Sequence, residues 1–203
     1  FSKRDKYKRI GQAVLGFGML FLGLKIMADG MSPLQGSQLF RDILLQISDN
    51  PILAITLAAI FTFLVHSSAA TIGIIMILSM QGMIPLIPAI FLIYGANIGT
   101  SFTAILSSLG SSREAQRVAT AHLLFKVAGV VIFLPLTIPF ANLISSFTNI
   151  PGHQVANAHT LFNITIALAF LPFTDFFASL LEKIVPEKKK ESDIEPKYLD
   201  YSL

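Results

Sequence analysis

Residues 50–112 read NPILAITLAAIFTFLVHSSAATIGIIMILSMQGMIPLIPAIFLIYGANIGTSFTAILSSLGSS and contain no Asp, Glu, Lys or Arg. A stretch of that length without charge does not fit the solvated surface of a soluble domain and reads as membrane-embedded chain. Two polar interruptions lie inside it, His66-Ser67-Ser68-Ala69-Ala70-Thr71 and Gly95-Ala96-Asn97-Ile98-Gly99-Thr100-Ser101. Polar breaks at bilayer depth are the usual trace of discontinuous helices around a solute site. The first expectation is therefore a chain that moves a solute across a membrane.

Composition agrees. The 203 residues are 53% hydrophobic and 13% charged, with mean hydropathy +0.68, whereas soluble domains are roughly 25% charged. There is no cysteine, which excludes a disulfide framework, a thiolate metal site and a catalytic thiol. Basic residues cluster at Lys3, Arg4, Lys6, Lys8 and Arg9 and again at Lys188-Lys189-Lys190. Without a folded basic face these clusters do not point to nucleic acid; they suit the cytoplasmic flanks of membrane spans. The apolar run after the basic start is helix-length and lacks an Ala-x-Ala pattern, so it reads as a span rather than a signal peptide.

The expected fold is an all-α integral membrane protein. It has about four transmembrane helices, a re-entrant helical hairpin at about 52–80 and a discontinuous helix at 85–109. A basic cytoplasmic segment covers 1–9, the transmembrane unit 10–185, and a charged cytoplasmic tail or linker 186–203. The first span, Ile10 to Ala28, carries the glycine pairs Gly11/Gly18 and Gly16/Gly23, a pattern that suggests close packing on a neighbouring helix. Residues 30–50 read as a short amphipathic helix at the membrane surface. Segments 52–65 and 72–80 are each too short to cross, which favours the hairpin. Pro135 and Pro139 kink or end the segment 118–143, and Pro172 bends the segment 155–185. With both termini cytoplasmic, the Arg113/Arg117 loop and the Lys188 cluster fall inside. The outer loops then hold Arg41 against Asp29, Asp42 and Asp49, in agreement with the positive-inside rule.

At the hairpin tip an unwound backbone frees carbonyls for a cation, and the following half-helix offers unpaired N–H groups to an oxyanion. Ser and Thr hydroxyls serve either partner, or simply bond back to their own backbone. Around Gly95–Ser101, the Asn amide, hydroxyls and freed carbonyls form a hard-oxygen set suited to Na⁺ and not to a transition metal. The competing reading there is a glycine-rich packing site.

His-Ser-Ser-Ala-Ala-Thr, then Tyr-Gly-Ala-Asn-Ile-Gly-Thr-Ser, Arg113-Glu114-Ala115-Gln116-Arg117 and Ala121-His122-Leu123-Leu124-Phe125, resemble one repeat of the type II sodium-dependent phosphate cotransporter family. The family's motif is Gln-Ser-Ser-Ser followed by Gly-Ala-Asn-Ile-Gly-Thr-[Thr/Ser], and the similarity covers roughly residues 10–185. The resemblance is greatest to the second of two inverted repeats, and Glu195 to Asp200 resembles the junction to a PhoU-like cytoplasmic domain. It implies sodium-coupled uptake of inorganic phosphate at the cell (plasma) membrane by the whole or half of a symporter. The other half would be a second repeat or a second subunit in a homodimer. No cofactor is implied beyond the coupling sodium. Phosphate is then expected at His66, Ser67, Ser68, Thr71 and Asn97. Sodium is expected at Ser68, Asn97, Thr100, Ser101 and Thr103.

His66 stands where the family has Gln, and Ala69 where it has the third Ser. Lys126 stands where Asn is expected. A snorkelling or paired lysine, a fixed charge near the anion, and a substitute for a sodium ion are its three readings. An internal echo joins Ala121-His122-Leu123-Leu124-Phe125-Lys126 to Ala158-His159-Thr160-Leu161-Phe162-Asn163, each placing its His and Lys or Asn on one helical face. His122, Lys126, Asn157, Thr160 and Asn163 are accordingly expected around the primary ligands. The rival classes are an intramembrane lipid-phosphate phosphatase and a non-transporting subunit that recruits a cytoplasmic partner. The first lacks the carboxylates and arginine such chemistry uses within the uncharged run, and an enzyme is not the expectation.

Overall fold

The computed structural model describes residues 5–187. Residues 1–4 of the basic start, the Lys188 cluster and the tail expected to lead to a PhoU-like domain lie outside them. Among the described residues the chain is all-helical: α1 (Asp5–Met31), α2 (Gln38–Asp49), α3 (Pro51–Val65), α4 (Ser68–Met80), α5 (Leu86–Ser108), α6 (Arg113–Phe133), α7 (Thr137–Phe147), α8 (Pro151–Phe170) and α9 (Thr174–Ile184). Short 3-10 turns occupy Ser32–Gly36 and Leu171–Phe173.

Local chemistry sets the boundaries. Ser37, Asn50, Ser67 and Ser112 each accept a backbone N–H three residues on, from Phe40, Leu53, Ala70 and Ala115, satisfying a donor that a helix start leaves open. Pro51 and Pro151 occupy first turns, where no N–H is needed. Gly82 and Gly110, at φ +71° and +81°, turn the chain after α4 and α5.

Four stretches are long and apolar enough to cross a bilayer: 5–34, 86–108, 113–133 and 151–184. The apolar window of α5 is 61% buried against 0% for α1, so α5 is central and α1 outermost. Val14, Leu15 and Leu20 on α1 are about two-thirds exposed, a surface that suits lipid and not water. α1 touches the rest mainly where Leu24 and Met27 meet Gly73 of α4. Its glycines Gly11, Gly16, Gly18 and Gly23 have nothing within 4 Å of a Cβ position. The packing expected of them is therefore not made within the described chain.

α2 is a separate amphipathic helix that buries Leu44 and Ile47, bent by 116° from α3. The segment 118–143 divides into α6 and α7 around Pro135, and 151–184 bends at the Pro172 turn, as the prolines predict. Tyr94, Phe133, Phe140 and Phe162 knit α5 to α8 through ring contacts of 4.9–6.5 Å.

One expectation is corrected. α5 is a single unbroken helix through Gly95–Ser101, not the discontinuous helix expected at 85–109. The glycines admit a neighbour instead. A Cβ on Gly95 would lie 2.2 Å from the Ile55 carbonyl oxygen, and one on Gly99 2.4 Å from that of Ala59. This ascending register makes α3 and α5 parallel. Phe63 meets Phe102 further along, at 6.4 Å, so α3 ends about one helical turn short of the Ser108 end of α5.

Candidate functional site

The turn between α3 and α4 consists of His66 and Ser67. His66 is left-handed (φ 55°), an uncommon conformation that histidine enters more readily than most residues. It is exposed, with its ring 5.8 Å from Phe63. Ser67 caps α4, and the amides of Ser68 and Ala69 carry no backbone partner among the described residues. Ser67, Ser68, Ala69 and Ala70 line an open cavity of about 640 Å³, shared with α1 and with His159 of α8. Two serines and the start of a helix thus border one cavity, whose lining from α1 and the rest of α4 is largely apolar, including Phe17, Leu20, Leu24, Ile72 and Met76.

Thr71 is placed differently from the expected anion ligand. It is 4% exposed, donates to the Ser67 carbonyl at 3.1 Å and accepts from Thr62 at 2.9 Å. Thr71 therefore closes the turn from within. Thr62 was missed in the sequence, although a signal existed: Thr62 and Thr71 lie equally far on either side of the His66–Ser67 turn.

The second polar centre crosses three helices. Lys126 on α6 donates from its Nζ to Asn97 Oδ1 on α5 at 2.9 Å and to Asn163 Oδ1 on α8. Each asparagine amide is anchored by its own helix. Asn97 Nδ2 donates to the Ile93 carbonyl at 2.9 Å, and Asn163 Nδ2 to that of His159 at 2.7 Å. Asn97 is buried, Lys126 and Asn163 half-buried, and Asn97 sits midway along α5.

The hydroxyls after Asn97 bond within α5. Thr100 donates to Ala96 O at 2.9 Å, Ser101 to Asn97 O at 3.3 Å, and Thr103 to Thr100 O at 2.7 Å. Ser101 also reaches the His122 carbonyl at 3.5 Å. With the helix unbroken, the freed carbonyls expected at Gly95–Ser101 are not available; the hydroxyl oxygens and the Asn97 amide are what remain. His122 and Asn157 are half-buried and Thr160 is exposed. Asn97, Lys126 and Asn163 are brought together by hydrogen bonds. No described bond joins Ser68, Asn157 or Thr160 to that group.

The chain matches the Na+/Pi-cotransporter family over residues 23–171. It is 31% identical over 151 residues to the uncharacterized protein YqeW of Bacillus subtilis, covering 74% of this chain and 49% of the relative. A second relative is YjbB of Escherichia coli K12, provisionally named an inorganic phosphate export protein, at 27% over 156 residues, 71% of this chain and 29% of the relative. Human sodium-dependent phosphate transport protein 2B is 34% identical over 144 residues, 65% of this chain and 21% of the relative. The chain thus spans about half or less of the length of these relatives. No solved structure matches it. The chain belongs to the Na+/Pi-cotransporter family.

Proposed function

We propose that this family member moves inorganic phosphate across the cell membrane with sodium as the coupling ion, as one repeat of a transporter whose site a second repeat or a second copy completes. The observation that carries this reading is the start of α4: Ser67, Ser68 and Ala69 border one cavity, and the Ser68 and Ala69 amides carry no backbone partner among the described residues. Such a group favours a multivalent oxyanion, because donors and the positive end of the helix dipole converge on it. Ser67 and Ser68 bind the anion, His66 stands at the rim, and Thr71 holds the turn in shape.

Sodium would be held by oxygens of Ser68, Thr100, Ser101 and Thr103. The three α5 hydroxyls give their protons to backbone carbonyls, which leaves their oxygens as acceptors and favours a hard cation. The short α3 and α4, with α3 ending a turn before α5 does, support a hairpin that enters and leaves on one side. Both termini would be cytoplasmic, with the tail reaching a PhoU-like domain.

Radiolabelled phosphate uptake into proteoliposomes, with and without an inward sodium gradient, tests the reading. Sodium-stimulated uptake that Ser68→Ala weakens is the expected result, and uptake indifferent to sodium removes the coupling. Phosphate leaving preloaded vesicles faster than it enters would favour export, the direction in the name of the YjbB relatives.

A further inference from the structure

The Asn97–Lys126–Asn163 centre has the form of a cation site already filled. Two amide oxygens from two helices converge on one point, and their own N–H groups are tied back to the carbonyls four residues earlier in an identical way. Those ties fix which atom each asparagine turns inward, since the nitrogen is committed and the oxygen is left to face the centre. Two preset oxygen acceptors on helices of the membrane-spanning set call for a cation. The cation present is the Lys126 ammonium. The internal echo makes the exchange visible in the chain itself: Asn163 occupies the position in its hexapeptide that Lys126 occupies in the other.

We infer that the Lys126 ammonium is a tethered counterpart of a sodium ion, so that the Asn97/Asn163 centre takes no sodium from solution. The transport consequence, one coupling ion fewer than a chain with a neutral residue there, rests on the proposed phosphate symport. The occupancy of the centre does not. A tethered charge also stays behind when the solute leaves, so Asn97 contributes to holding three helices together and not to a travelling ion. The third Nζ proton has no partner among the described residues and is left to whatever faces the centre.

The test is sodium titration of thermal stability for the full chain in detergent, with choline holding the ionic strength. Parent, Lys126→Ala, Lys126→Asn and Lys126→Arg are compared. Removing the ammonium opens the centre to sodium. Each tenfold rise in sodium above the new site's Kd then multiplies the folding equilibrium constant of the Ala and Asn variants by about ten beyond the parent's response. Lys126→Arg, which keeps a cation, follows the parent. Equal responses in all four, or the steepest in the parent, overturn the inference. So does failure of both neutral variants to fold in sodium, because sodium should then supply the missing charge. Phosphate uptake run in parallel separates the two readings. A steeper sodium response in the neutral variants without uptake by the parent sinks only transport. Uptake with equal responses sinks only the tethered cation.

Discussion

Gly95→Ala strikes the contact on which the bundle turns. The added Cβ would lie 2.2 Å from the Ile55 carbonyl oxygen and 2.7 Å from the Ala58 Cβ, more than about 1 Å inside ordinary contact with the first. Both obstacles are fixed to the α3 backbone, so no rotamer change relieves them and the two helices must separate. Separation also strips packing at Gly99, whose own Cβ would meet Ala59 O and the Thr62 Cβ. Overpacking costs about 1–3 kcal/mol; obstacles that cannot move place this clash in the upper part of that range, about 2–3 kcal/mol, offset by the roughly 1 kcal/mol that Ala gains over Gly in a helix. The net loss is about 1–2 kcal/mol, or a fall in melting temperature of about 2–8 °C for a chain of this size. Thermal unfolding in detergent, followed by size-exclusion recovery, reads it. Gly129→Ala is the calibrating variant. Its Cβ would come as close, at 2.1 Å, but to the end of the Ile166 side chain, which can rotate, so the loss should be smaller. Gly18→Ala, with nothing within 4 Å, should be neutral or slightly stabilising. A Gly95→Ala protein as stable as the parent, or one more stable than Gly129→Ala, would refute the close parallel packing of α3 on α5.

Thr71→Val leaves the buried Thr62 hydroxyl without its acceptor and should cost about 1–3 kcal/mol, whereas the Thr62→Val/Thr71→Val pair should recover most of the loss; a double variant worse than the single would deny that the two hydroxyls are partners. Ser67→Ala removes the cap of α4 and should lower stability by about 0.5–2 kcal/mol together with phosphate uptake. Ser68→Ala, which caps nothing, should lower phosphate uptake while the melting temperature stays within about 2 °C of the parent. Equal loss of stability in both serine variants would assign them one structural role.

Much of the fold is written in spacing and punctuation. The uncharged run announces the membrane, the capping Ser37, Asn50, Ser67 and Ser112 mark where helices start, and Pro135 and Pro172 mark where long apolar segments divide. These are local signals, and local physics decides them. The site is less legible because its parts are joined across helices. Lys126 stands out in the sequence as a misplaced charge, and its three readings are all open there. Only the arrival of Asn97 and Asn163 from two other helices shows which atoms the ammonium meets. Thr71 reads as a ligand in the sequence because a hydroxyl near a turn has the same signature whether it faces a solute or, as in the structure, its own backbone.

The misreading of Gly95–Ser101 has a specific cause. A glycine both loosens a helix and lets another helix approach, because each effect comes from the missing Cβ. Nothing within Gly-Ala-Asn-Ile-Gly distinguishes them. The discriminating evidence lies some forty residues away, on the helix that fills the space. Ala54, Ala58 and Thr62 recur at four-residue spacing on α3 and are all buried, and Gly95 and Gly99 recur at the same spacing on α5. Two such stripes in one chain predict a close helix–helix seam, its parallel sense fixed by the pairing of Gly95 with Ile55 and of Gly99 with Ala59, and a seam of this kind needs the helix whole to keep its groove regular. A glycine at a true break would face no matching stripe, since an unwound segment presents no regular groove. The hydroxyls of Thr100, Ser101 and Thr103 then follow without further assumption: on an intact helix they bond to the preceding turn, as they do here.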